Sequence, residues 1–174
     1  MPKQETSQTV LMGISGREMI NLLHGRQKAI IKKLMPKLTV PPYEIYLYIT
    51  QPKHKCEVLY MDTTVSPEEI CLGNAYEPNS DEVVAGREVL NGRVIGKCKC
   101  YDYQIMLCSS AGREKYHKDV GMTVNQLLDL CGGKDMGVWY VSDVELLPEI
   151  KTLNDYGQDK PPQNWCYLLN GEIK

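Results

Sequence analysis

The chain has 174 residues, of which 43% are hydrophobic and 24% are charged, and its formal net charge is -2 at pH 7. These values predict one globular domain over residues 1–174 and exclude a protein coated in positive charge. No apolar run approaches the roughly 20 residues of a membrane-spanning helix, and the polar N-terminus lacks a signal-peptide core. Seven cysteines without a secretory signal favour the reducing cytoplasm over a disulfide framework.

The first predicted element is a short helix over residues 16–24. Ser15 and Glu18 form a capping-box pattern at its start, and Gly25 lies where the C-terminus of a helix favours glycine. A strand over residues 26–33 follows, in which apolar side chains alternate with basic ones. We therefore expect this helix and strand to form a basic edge of the fold.

The later elements predict an α+β fold. Residues 43–50 alternate most clearly, and residues 56–62 are expected to pair with them. Residues 61–92 carry seven acids and one arginine among many turn formers, which predicts an irregular acidic insertion. The remaining elements are strands at 93–103, 137–147 and 164–169 and a helix between Thr123 and Gly132. The expected architecture is a small curved β-barrel of five to six strands with two or three short helices.

Positive charge is concentrated around the predicted first strand, because the span from residue 19 to residue 43 contains no carboxylate. Within that span lie Arg26, Lys28, Lys32 and Lys33. Lys97 and Lys99 share one face of the strand at 93–103, so they extend the candidate track. Such side chains bind phosphates without reading sequence. The alternative is a solvated edge whose lysines prevent pairing with other chains.

Aromatic residues near these strands are candidates for stacking on nucleobases, as in proteins that bind single strands. Tyr140 and Trp165 are the predicted stacking residues. Trp139 is expected in the core, because the chain has no phenylalanine to fill it.

The cysteines do not indicate a metal site. The sequence has no Cys-x-x-Cys pair, and cysteines at alternate strand positions, such as Cys98 and Cys100, usually serve as small hydrophobic residues. We therefore predict neither a metal nor another cofactor.

The order of these segments resembles that of ASCH-domain proteins, a family of the PUA-like superfamily that is frequent in bacteria and their phages. The stretches that carry the resemblance are HGRQKAIIKKLMPKL, PYEIYLYIT, NGRVIGKCKC, VWYVSDVELL and KPPQNWCYL. The resemblance implies a small barrel with a cleft beside the first helix and the following strand, suited to RNA, DNA or a modified nucleoside. Some members are amidohydrolases acting on acetylated cytidine, and ribonuclease activity has been proposed for others.

The chain departs from the family motif, which runs roughly glycine, any residue, lysine, threonine, any residue, glutamate or threonine, any residue, arginine. The corresponding positions here are Gly25, Gln27, Lys28, Ile30 and Lys32. In addition, Lys97 replaces the carboxylate that hydrolase-like members carry in the middle strand. A hydrolase of this kind needs a nucleophile and a carboxylate to move its proton. Gln27, Ile30 and Lys97 cannot take these roles.

The sequence therefore predicts a non-catalytic binder of RNA, single-stranded nucleic acid or a nucleotide, without a membrane partner. The candidate binding residues are Gly25, Arg26, Lys28, Lys32, Lys33, Lys97, Lys99, Tyr140 and Trp165. One alternative is an amidohydrolase or nuclease with Lys28 as the amine and Glu44 or Asp102 as the acid. The other is a phage-type inhibitor that binds a host protein through the acidic segment 61–92.

Overall fold

The structure, a computed structural model, describes residues 9–33, 41–52, 57–66, 68–73 and 87–168. These residues form an α+β fold with a six-stranded and a three-stranded sheet. The helices are α1 (Gly16–Leu23), α2 (Ser110–Tyr116) and α3 (Val124–Cys131). The strands are β1 (Thr9–Ile14), β2 (Ala29–Lys32), β3 (Tyr43–Ile49), β4 (Val58–Asp62), β5 (Glu69–Gly73), β6 (Arg87–Val89), β7 (Val94–Met106), β8 (Met136–Lys151) and β9 (Trp165–Leu168). Among the helices so described, none is long and apolar enough to cross a membrane.

The six-stranded sheet has the order β2-β8-β7-β3-β1-β9. Strand β1 runs parallel to β3, whereas the other neighbouring strands are antiparallel. The pairing of β7 with β8 contains three register shifts, and such bulges bend a strand and increase its twist. The two longest strands of the sheet are therefore strongly curved.

This curvature brings the two ends of the sheet together on its inner face. Trp139 of β8 and Trp165 of β9 lie edge to face, with ring centroids 5.4 Å apart, although their strands are second and sixth in the sheet. Likewise, Lys32 Nζ on edge strand β2 donates a hydrogen bond of 2.5 Å to the Gly13 carbonyl on β1. No strand pairing closes the sheet within the described residues. The α+β class and the curvature agree with the prediction, but a barrel is not shown, because the sheet is open and its ends meet through side chains.

The inner face of the curled sheet carries the main core. Met19 of α1 and Leu59 of β4 belong to the same buried cluster as Leu47 and Trp139 of the large sheet. Helix α1 and the small sheet therefore cover the inner face.

Separate elements cover the two ends of the outer face. At one end, Leu127 of α3 packs in a cluster with Ala29 and Val138. At the other end, Tyr156 of a 3-10 turn stacks against Tyr46 of β3, with ring centroids 5.0 Å apart. Between these covers the middle of the outer face stays open.

The predicted start and end of the first helix are confirmed. Ser15 Oγ accepts from the Glu18 N–H at 3.2 Å, and Glu18 Oε2 accepts from the Ser15 N–H at 3.0 Å. At the C-terminus, the Arg26 N–H donates to the Asn21 carbonyl at 2.8 Å, as in a Schellman motif. Gly25 has φ +70°, a left-handed conformation that glycine adopts without a side-chain clash.

The second sheet corrects two sequence-based expectations. Strand β4 pairs with β5 and β6, whereas β3 pairs with β1 and β7, so residues 56–62 do not extend the large sheet. The described parts of 61–92 include strands rather than only irregular chain, because Met61 and Ile70 pair across β4 and β5 and pack on the main core. Residues 67 and 74–86 lie outside the described residues. The division into one domain stays a prediction.

Candidate nucleic-acid interface

The predicted basic residues occupy two opposite faces of the large sheet. On β2, Ile30 lies in the inner core, whereas Ile31 packs in the outer helical cluster. Lys32 therefore points to the inner side by strand alternation. On β7, Cys98 and Cys100 alternate with Lys97 and Lys99, and both cysteines are buried in the inner core. The two lysines of β7 thus lie on the outer side and do not extend the surface around Lys32.

Lys32 bonds to strand β1, which pairs with the strand that carries Trp165 and Tyr167. We call Lys32, Trp139, Trp165 and Tyr167 the inner-edge cluster. Trp165 is half-buried and contacts Tyr167 edge to face, with ring centroids 5.0 Å apart. The backbone of Gly13, which accepts from Lys32, is also fixed by the loop before β9, since its N–H donates to the Asn164 carbonyl at 3.2 Å. The half-buried Lys32 therefore bonds to the backbone of Gly13, which is itself bonded to the residue before the half-buried Trp165.

Trp139 forms the floor of the inner-edge cluster. Its side chain is fully buried, and its indole Nε1 has no hydrogen-bond partner within the described parts of the chain. Tyr43 and Tyr103 flank the indole, with ring centroids at 6.1 Å and 6.4 Å. The expectation that Trp139 belongs to the core is confirmed.

The other basic residues near β2 are exposed and lie before and after the strand. Arg26 Nη2 is 2.7 Å from His24 Nδ1, so the guanidinium is steered back over the helix end. The Lys28 backbone is fixed between neighbours, because its N–H donates to the Asp119 carbonyl at 2.8 Å and its carbonyl accepts from the Val141 N–H at 3.1 Å. Lys33, next to Lys32, is exposed just after the strand ends. These side chains are accessible to an anion.

Tyr140 is placed for a structural contact and not for stacking beside Trp165. Its hydroxyl donates a hydrogen bond of 2.6 Å to Asp119 Oδ2, and its ring packs on the outer helical cluster. Burial, followed by the Asp119 carboxylate, raises the pKa of the Tyr140 hydroxyl. The preceding residue on β8, Trp139, faces inward and contacts Trp165. Tyr140 and Trp165 therefore lie on opposite faces of the sheet.

Tyr140→Phe is expected to lower the free energy of unfolding by about 1 kcal/mol at neutral pH, because Asp119 loses a donor. The folded pKa of the hydroxyl is raised above the ordinary value of 10.0. Its contribution is therefore complete below pH 10.0 and is lost as the pH rises through the folded value. Urea denaturation at about pH 8 and about pH 11 should show the gap between wild type and variant shrinking. Tyr101→Phe, at a tyrosine that is 52% exposed, should not show this gap.

The outer side holds a mixed-charge cleft of about 440 Å³, lined by Glu44, Lys97, Cys98, Lys99, Asp143 and Glu145. Lys97 Nζ lies 3.3 Å from Glu145 Oε1 and 3.9 Å from Glu44 Oε1. The hydrogen bond to Glu145 and the charge of Glu44 raise the pKa of Lys97. Three carboxylates therefore offset two lysines in this outer cleft, which disfavours phosphate binding there.

The structure does not bring together the residues of the enzyme alternative. Glu44 lies in the outer cleft beside Lys97. Asp102 is exposed, and its Oδ2 accepts from Gln104 Nε2 at 3.2 Å. Lys28 directly precedes β2, and strand β8 separates β2 from β7, the strand that carries Asp102. By strand alternation, Lys28 points to the same side of the sheet as Ile30.

Sulfur and imidazole ligands do not converge either, because no group of three His, Cys, Asp or Glu side chains suited to a metal occurs in the described ranges. Cys98 and Cys100 lie in the inner core, where burial raises the pKa of both thiols. Two further residues of types that bind metals, His54 and Cys56, lie outside the described residues.

Solved structures with the same fold include ASCH from Zymomonas mobilis, which is 11% identical in sequence and superposes with a TM-score of 0.61. The match covers 92% of this chain and 87% of the Zymomonas mobilis chain. A serine-to-alanine mutant of that protein is 11% identical, with a TM-score of 0.62, over 94% and 90% of the two chains. A tyrosine-to-phenylalanine mutant is 10% identical, with a TM-score of 0.61, over 92% and 90%. No family model and no curated protein matches the sequence. The chain therefore has the ASCH fold, as the sequence resemblance predicts.

Proposed function

We propose that this chain is a non-catalytic binder of RNA, single-stranded nucleic acid or a nucleotide, and that the inner-edge cluster is its binding site. The observation that carries the proposal is the hydrogen bond from the Lys32 ammonium to the Gly13 carbonyl of β1, the strand that pairs with β9 and its half-buried Trp165. A nucleotide needs a cation for its phosphate and an aromatic ring for its base, and this edge of the fold offers Lys32 and the accessible part of Trp165 for these roles.

The charges around the inner-edge cluster support the same assignment. Lys33 follows Lys32 directly, and Arg26 and Lys28 are exposed at the start of the same strand. No carboxylate occurs in the sequence between residues 19 and 43, and the carboxylate of Asp119, whose backbone bonds to Lys28, accepts a hydrogen bond from the Tyr140 hydroxyl. A local basic edge suits a polyanion better than the balanced outer cleft does.

The ASCH resemblance supports a nucleic-acid ligand, and the motif positions support binding without chemistry. Gln27 is buried, and its Nε2 donates to the Ala29 carbonyl at 2.9 Å, so it holds the backbone of the turn. Ile30 is fully buried in the inner core. Lys97, at the position of the family carboxylate, lies in the outer cleft. These residues leave the proposed site without the acid and base that hydrolysis requires.

Tryptophan fluorescence can report binding, because the sequence contains two tryptophans, Trp139 and Trp165, and both belong to the inner-edge cluster. Single-stranded RNA, single-stranded DNA and mononucleotides should quench tryptophan fluorescence, and polymer binding should weaken with salt. Lys32→Gln and Trp165→Leu are expected to weaken binding by about tenfold or more, because stacking alone is worth about 1–3 kcal/mol per base. Lys99→Gln, at an exposed lysine of the outer cleft, should bind like wild type.

Two results would contradict the proposal. One is the absence of binding by folded wild type at low salt, which would favour a protein partner through the segment 61–92. The other is an equal loss in Lys32→Gln and Lys99→Gln, which would indicate that the ligand does not use the inner-edge cluster. Turnover of an N-acylated nucleoside that disappears in Lys28→Ala would instead support the enzyme alternative.

A further inference from the structure

Two cysteines meet in the helical layer on the outer face, away from the inner-edge cluster. Cys108 directly precedes the loop that enters α2, and Cys131 is the last residue of α3. Cys131 belongs to the buried outer cluster and Cys108 packs against that cluster. The Cys108 thiol is close enough to act on the Cys131 thiol, because it raises the pKa of that thiol in addition to the larger effect of burial. Both are free thiols in the structure.

A guanidinium lies beside this thiol pair. Arg113 Nη1 donates to Cys108 Sγ at 3.9 Å. Arg113 Nε is buried and has no hydrogen-bond partner in the described part of the chain, so this cation has unused capacity for an anion. A thiolate that forms at Cys108 during a reaction would meet that positive charge, which is the environment that reactive cysteines use.

The loop around Cys108 is held in place by its backbone. The Cys108 N–H donates to Asp135 Oδ1 at 2.8 Å, and the Ser109 N–H donates to the Leu107 carbonyl at 2.8 Å. A Cβ at Gly112 would lie 2.2 Å from the Leu107 oxygen, so glycine lets α2 approach this turn closely. The thiol is thereby kept next to its partner.

The two thiols differ in access, which sets their order of reaction. Cys108 is half-buried, whereas Cys131 is 2% exposed, and burial raises the pKa of the Cys131 thiol. A small reagent therefore reaches Cys108 first, and Cys131 is placed to react with the product.

We propose that Cys108 and Cys131 form a reversible disulfide by exchange with a small-molecule disulfide of the glutathione type. The Cys108 thiolate attacks one sulfur of the reagent, forms a mixed disulfide and releases the first small thiol. Cys131 then gives up its proton, attacks Cys108 Sγ and releases the second small thiol. The two protein thiols lose two electrons and two protons, which the reagent gains. In reducing surroundings the pair stays open, and it closes when the small disulfide accumulates.

The test uses the full chain in buffers with rising ratios of oxidised to reduced glutathione, followed by alkylation, mass spectrometry and peptide mapping. Wild type is expected to lose the mass of two hydrogen atoms, with Cys108 and Cys131 in one linked peptide pair. Cys131→Ser should retain one glutathione on Cys108, because the second exchange has no attacking thiol. Cys108→Ser should gain no glutathione at Cys131. Cys166→Ser, at a half-buried cysteine elsewhere, should behave like wild type.

Arg113 is assigned as a positioning residue for the first exchange, which gives the proposal a second readout. Arg113→Gln is expected to slow mixed-disulfide formation in the Cys131→Ser background. Lys115→Gln, at an exposed cation on the same helix, should leave that rate unchanged.

The proposal is overturned if wild type stays reduced in excess oxidised glutathione, if the linked peptides contain other cysteines, or if Cys131→Ser still loses two hydrogen atoms. If Arg113→Gln in the Cys131→Ser background forms the mixed disulfide as fast as Cys131→Ser alone, Arg113 is not a positioning residue for the first exchange.

Discussion

Trp139→Ala is expected to lower the free energy of unfolding by about 3–5 kcal/mol, the range for deleting a large aromatic side chain from a packed core. Trp139 is 0% exposed, and its ring contacts Trp165 and Tyr43 edge to face. Such aromatic pairs add stabilisation beyond the buried area. Since the residue also joins the two ends of the curled sheet, its loss opens a cavity that the surrounding strands cannot easily fill. Urea denaturation followed by circular dichroism measures the change.

The matched control for this variant is Tyr101→Ala, which removes an aromatic side chain that is 52% exposed on the adjacent strand β7. It should change the free energy of unfolding by less than about 1 kcal/mol. A similar loss in both variants would mean that Trp139 does not have the buried, bridging position described.

Gly96→Val is expected to lower the free energy of unfolding by about 1–3 kcal/mol through overpacking. A Cβ at Gly96 would lie 2.5 Å from Met19 Cε and 3.0 Å from the Glu145 carbonyl oxygen. The methionine tip is flexible, but the carbonyl belongs to the backbone of β8, and valine adds two methyl groups to the clash. Helix α1 would be pushed away from the sheet. Denaturant titration again supplies the measurement.

A double-mutant cycle separates the two contacts at Gly96. Met19→Ala removes the flexible neighbour, so Met19→Ala/Gly96→Val should lose less stability than the two single variants together. Strict additivity would show that Met19 does not pack on Gly96, which would contradict the placement of α1.

Local signals in the sequence predicted the elements around the proposed site. The Ser15 capping box, the glycine at position 25 and the alternation on β2 and β7 each depend on residues within a few positions of one another. Each of these short patterns therefore determines a local backbone conformation or the side of a strand that is buried. The structure contains these elements, and Lys32, the one basic residue of β2, lies opposite Ala29 and Ile31 as alternation predicts, although Ile30 is buried on the same side as Lys32.

Long-range pairing was harder to predict because strand partners are chosen by the whole core. Strand β1 was missed at the sequence level, although it takes the place beside β3 that the stretch 56–62 was expected to fill. Both segments are short and apolar, so periodicity does not distinguish which of them pairs with β3. The sequence predicts a curved sheet, but it does not predict which residues meet where the ends of the sheet come together, such as Lys32 and the backbone of β1. The separation of Lys32 from Lys97 follows from the same curl and from strand alternation.

The pairing of β9 with β1 has a consequence for biosynthesis. The last described strand pairs with the first, so β1 remains an open edge on the nascent chain until residues near Leu168 have left the ribosome. Trp165 arrives with that final strand, long after Lys32 has been synthesised. The proposed binding site would therefore be complete only after almost all of the sequence described here has been translated.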